Sequence, residues 1–113
     1  MSQDLQIRLK TEEMMKYGYI AMRNFPKQEK HVLCAEIRRT MLNLLRLIII
    51  CNKRYHKKTT MQDLDAELDL LRSQVRLSME LKYLSMRQYE IWARQVNEIG
   101  RMIGGWFNSI KSA

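Results

Sequence analysis

Leu44-Leu45-Arg46-Leu47-Ile48-Ile49-Ile50-Cys51 is the stretch whose reading decides the fold. It is the middle of a longer segment, Pro26–Lys58, that contains no further Pro and no Gly. Across that segment Leu33, Ile37, Met41, Leu44, Ile48 and Cys51 recur at spacings of three or four, as one face of a helix does. At ~1.5 Å per residue such a helix spans about 45 Å. Its middle is apolar nearly all the way round. Either it sits at the centre of the fold, or another subunit covers its second face. The closing Lys53-Arg54-Tyr55-His56-Lys57-Lys58 is strongly basic, so one segment holds both the packing surface and the densest positive charge.

Working outward from this helix, the preceding residues from about 5 to 24 read as a first helix. Met14, Gly18, Ala21 and Phe25 share one stripe, with small residues where a neighbour can approach closely. Pro26 interrupts it and opens the second helix, about 27–58. Thr59-Thr60 is the next break. Thr60 is expected to cap a third helix, about 60–84, with Asp63 and Asp65 in its first turn. Met61, Leu64, Leu68, Leu71 and Val75 form its core stripe, widened by Leu70, Leu77 and Leu81. Ser85-Met86-Arg87-Gln88 is a capping box that opens a fourth helix, about 86–110. Tyr89, Trp92, Val96, Ile99, Ile103, Trp106 and Ile110 alternate by three and four along it. Gly104-Gly105 either ends that helix or allows a close backbone contact. Four amphipathic helices with short connections predict an all-α, antiparallel up-down-up-down four-helix bundle, a single domain over residues 1–113.

The net charge is +8, and its placement matters more than its size. Residues 1–58 carry thirteen Lys/Arg against five Asp/Glu, a balance of +8, whereas residues 59–113 carry seven of each. A one-sided excess of this kind suits a polyanionic partner. Lys53, Arg54, Lys57 and Lys58 form an end patch, Arg38 and Arg39 lie on the second helix, and Arg72 and Arg76 are an i,i+4 pair on the third. These eight are the candidate phosphate-binding residues. Nothing in them suggests base-specific readout, so the expected binding is sequence-tolerant and salt-sensitive. The bland alternative for each is solvation and ion pairing within a helix surface.

Catalysis finds little support. His31 and His56 stand at opposite ends of the second helix, and the late glycines match no phosphate-binding loop. Cys34 and Cys51, 17 positions apart on one helix, lie about 25 Å from each other, far beyond the ~4–7 Å that a disulfide requires. No metal site, cofactor or enzymatic activity is expected. The first residues lack a secretory pattern, and the longest apolar run, Leu47–Cys51, is five residues, against the ~20 of a membrane span. A cytoplasmic, membrane-free protein is expected.

Phe25-Pro26-Lys27, followed by Leu33 and Ile37-Arg38-Arg39, resembles the signature of the small four-helix proteins encoded in intervening sequences of bacterial 23S ribosomal RNA genes. Leu84-Ser85-Met86-Arg87-Gln88-Tyr89 and Ile99-Gly100-Arg101-Met102-Ile103-Gly104-Gly105-Trp106 resemble the accessory variability determinant proteins of diversity-generating retroelements. Where the ribosomal group continues into an Asn-Ile-Ala-Glu-Gly-like segment, this chain has Leu47–Cys51, which favours the second group. That resemblance implies a non-catalytic subunit, assembled as a positively charged homopentameric barrel, that binds nucleic acid (RNA or cDNA) and a reverse transcriptase. The alternative it leaves open is a protein-interaction bundle, ribosome-associated like the intervening-sequence proteins.

Overall fold

The computed structural model describes residues 2–112 and contains four α-helices with no strand among the described residues. They are α1 (Gln3–Ala21), α2 (Leu33–Lys53), α3 (Lys58–Glu80) and α4 (Met86–Ser112). Two short 3₁₀ turns, Met22–Asn24 and Lys27–Glu29, lie between α1 and α2. Each helix packs against two neighbours, in the ring α1–α2–α3–α4–α1. The particle measures 47 × 24 × 21 Å.

One hydrophobic cluster draws on all four helices. Ile37, Met41, Leu44, Ile48 and Cys51 of α2 are completely buried, as their spacing predicts. So are Met14 and Ala21 of α1, and Trp92, Val96 and Ile99 of α4. On α1 the buried stripe extends back to Ile7 and Thr11. Thr11 escapes a hydropathy reading because it is polar, but its hydroxyl donates to the Ile7 carbonyl at 2.8 Å and so enters the core satisfied. On α3 the expected core residues Met61, Leu64, Leu68, Leu71 and Val75 are buried. Leu70, Leu77 and Leu81 do not widen that stripe; they point outward, each 45–46% exposed. Gln74 and Ser78 are buried in their place, Ser78 donating to the Gln74 carbonyl.

Small residues set the approach of α1 to α4. A Cβ on Gly18 would stand 2.7 Å from the Trp92 ring and 3.1 Å from the Met41 sulfur, so the glycine is what lets the indole come this close to α1. The Trp92 Nε1–H donates to the Met14 sulfur at 3.3 Å, giving the buried indole a partner.

Several boundaries differ from the sequence reading. The second helix does not run 27–58: it begins at Leu33, after the 3₁₀ turn that follows Pro26, and ends at Lys53. The Lys30 ammonium holds this corner by donating to the Met22 and Arg23 carbonyls at 2.7 and 2.8 Å, while Arg38 donates to the Lys30 carbonyl at 3.0 Å. The Glu29 carboxylate accepts from the Tyr83 hydroxyl at 3.0 Å and ties the same corner to the α3–α4 connection; that bond, with some burial and the carboxylate charge, raises the Tyr83 pKa. The third helix starts at Lys58, so Thr60 is not its cap and Asp63 and Asp65 fall beyond its first turn. It ends at Glu80 rather than near 84, where Lys82 turns the chain with a positive φ of 65°. The fourth helix passes straight through Gly104-Gly105, with no atom within 4 Å of a Cβ placed on either glycine.

The capping box is formed as expected. The Gln88 backbone N–H donates to the Ser85 hydroxyl and the Ser85 N–H donates to the Gln88 side-chain oxygen, both at 3.1 Å. Ser85→Ala is expected to lower stability by about 1 kcal/mol, read from urea unfolding, with a helical spectrum otherwise unchanged.

Candidate nucleic-acid interface

The eight candidate cations fall in three places. Lys53 closes α2, Arg54–Lys57 is the connection, and Lys58 opens α3, so the end patch occupies one corner of the bundle. Arg38 and Arg39 lie toward the other end of α2, about 20 Å away along the helix. Arg72 and Arg76 are about as far from Lys58 along α3. The structure does not bring the three groups into one site.

Their hydrogen bonds divide them again. The Lys57 ammonium turns inward and donates to the carbonyls of Cys51, Asn52 and Arg54 at 2.6, 3.2 and 2.6 Å. It thereby satisfies the last carbonyls of α2, where a cation also meets the negative end of the helix dipole. Arg54 donates to the Thr60 hydroxyl at 3.0 Å. Both residues hold the α2–α3 corner together. Arg38 is half-buried and bonded to the Lys30 carbonyl. Arg72 donates to Asp69 and Asn97 at 2.7 and 3.1 Å, and Arg76 faces Glu80 at 3.8 Å. That leaves Lys53, Lys58 and Arg39 exposed, with no ion pair or hydrogen bond among the described residues.

Lys111 joins Lys58 at the patch, because the last turns of α4 reach the α2–α3 connection. Ending the fourth helix at Gly104-Gly105 would hide that cation. The signal is present in the sequence, since Trp106 and Ile110 keep the apolar period going beyond the glycines.

On α4, Gly100 accommodates the Arg72 side chain: a Cβ there would run into its guanidinium. Tyr89, Trp92 and Trp106 pack in or against the core. Cys34 and Cys51 are free thiols, both buried. Burial pushes both thiols up; nearby Lys30 and Arg38 oppose this at Cys34, and Lys57 and Arg54 oppose it at Cys51. Among the described residues, no group of three or more His, Cys, Asp or Glu side chains is placed to hold a metal ion. Among the same residues, no helix is long and apolar enough to cross a membrane.

Fold and surface together define an all-α helical bundle with a cationic corner. The chain belongs to the bAvd-like family, whose model matches residues 5–110. This agrees with the resemblance carried by the Leu84–Tyr89 and Ile99–Trp106 stretches. No curated protein matches the chain.

Proposed function

We propose that this protein is a non-catalytic accessory subunit of a diversity-generating retroelement, binding template RNA or cDNA and the element's reverse transcriptase during mutagenic reverse transcription. The observation that carries this reading is the gathering of cations with no ion pair among the described residues about the α2–α3 connection of a member of the bAvd-like family: Lys53 at its start, Lys58 at its end and Lys111 beside Lys58 from α4. Arg39 extends the positive surface, while Arg72, Arg76 and Arg38 can add to it when their present partners yield to phosphate. Arg54 and Lys57 serve by fixing the corner on which Lys53 and Lys58 stand. Contacts of this type recognise phosphate charge and carry no base information.

The working unit in this reading is one antiparallel up-down-up-down domain acting in the cytoplasm, where five copies form a barrel. Gln3 at the start of α1 meets Ser109 near the end of α4, and Gly18 near the end of α1 meets Trp92 near the start of α4, as an antiparallel pair requires. Assembly is supported by the outer side of α2, where Leu42 is 48% exposed and Leu45, Ile49 and Ile50 are half-buried, and by Leu70 and Leu77 on α3 with Leu81 just past its end. Uncovered rows of this size suit a protein neighbour.

Light scattering with and without a short structured RNA tests the assembly directly. A particle near five times 13.6 kDa that gains RNA mass at low salt and loses it at high salt is expected. A monomer that ignores RNA at every salt concentration contradicts the proposal and favours a bundle that binds protein alone.

A further inference from the structure

The cationic corner is also concave. A groove of about 510 Å³ lies between the α2–α3 connection and the last turns of α4, within the ~300–1,000 Å³ of small-ligand sites. Its apolar lining is Met61, Phe107 and Ile110, and its cationic edge includes Lys58 and Lys111. Asp65 is the one carboxylate among its lining residues. Tyr55 stands at the edge 92% exposed, its ring perpendicular to that of His56 with centroids 4.9 Å apart. The core gains nothing from a tyrosine placed there, and a ring this exposed offers surface for stacking.

We propose that this groove takes one unpaired nucleotide of a bound single strand, the base lying against Tyr55 and the apolar lining and the adjoining phosphates on Lys58 and Lys111. The proposal rests on the nucleic-acid-binding reading and deepens it: this corner distinguishes unpaired from paired strands. A small inorganic anion would use the lysines and leave the apolar lining wet. A wholly apolar occupant would leave two lysines without a counter-charge. A nucleotide has a flat apolar face and a negative charge at the spacing of one sugar, and every base offers such a face. In a duplex the bases are stacked inside, so only the lysines would be engaged.

The test uses the full chain, a ten-nucleotide RNA carrying a central 2-aminopurine, and a blunt duplex of the same strand. The expected result is tighter binding of the single strand, with the probe's emission quenched as it stacks. Tyr55→Ala is expected to weaken single-strand binding at least about fivefold and to leave duplex binding unchanged, with Tyr55→Phe restoring it. Because Tyr55 is so exposed, circular dichroism should not distinguish these variants. Lys58→Ala should lower the salt slope by about one on either RNA. Equal binding of both RNAs, no quenching and a silent Tyr55→Ala overturn the subsite while leaving nucleic-acid binding intact. Failure to bind either RNA overturns the underlying reading as well. Displacement of a bound strand by an oligoglutamate peptide bearing one tryptophan, at equal charge and equal concentration, assigns the groove to a protein partner and overturns the proposal.

Discussion

Trp92→Ala is expected to destabilise the protein by about 3–5 kcal/mol, the largest loss of any single substitution considered for this chain. The indole is fully buried, lies against Gly18 and bonds the Met14 sulfur, so its removal opens a cavity where α1, α2 and α4 meet. Domains of this kind keep only ~5–15 kcal/mol in total, so the variant should unfold at much lower urea. The same contact predicts an inverted propensity effect on the other side. Alanine normally favours a helix over glycine by ~1 kcal/mol, yet Gly18→Ala must displace a ring 2.7 Å away, and overpacking of this kind costs about 1–3 kcal/mol. Gly105→Ala, with open space around it, supplies the control and should not destabilise. Urea midpoints for the three variants check the ordering. A Gly18→Ala protein more stable than the parent would contradict the packing described for α1 and α4.

The second large effect is on binding. Lys53→Glu combined with Lys58→Glu is expected to weaken RNA binding at least about tenfold near 0.1 M salt and to lower the salt slope by about two. Neither side chain has a partner among the described residues, so thermal stability should hardly change. Lys57→Met should do the reverse. It removes the donor to three carbonyls at the end of α2, lowering stability by about 1 kcal/mol or more, while the slope moves little. With those outcomes, two neighbouring lysines would separate into one that holds the corner and one that meets phosphate.

That separation marks what the sequence could and could not reveal. The core of α4 is legible because large apolar residues from Trp92 to Trp106 keep one period without exception. Most of the α2 and α3 stripes are legible for the same reason. The helix ends are less so. Nothing local stops α2 at Lys53; the stop depends on Lys57 reaching back to Cys51, and on Arg54 finding Thr60 after the chain has turned. The α1–α2 corner likewise depends on Lys30 and Arg38 bonding backbone groups seven or eight residues away. Charge count therefore located the basic region but could not separate Lys57 from Lys58. Leu70, Leu77 and Leu81 misled in the opposite direction, since hydropathy alone does not say whether an apolar row faces the chain's own core or a neighbour.

The most direct test of the account is the salt dependence of RNA binding by the unaltered protein, followed by fluorescence anisotropy from about 0.05 to 0.2 M monovalent salt. A straight fall of log K with log salt, its slope reduced by about two in the Lys53/Lys58 double variant and unchanged by Lys57→Met, is the predicted result. A flat dependence, or a slope that the double variant leaves untouched, would contradict the claim that this corner is where the protein meets nucleic acid.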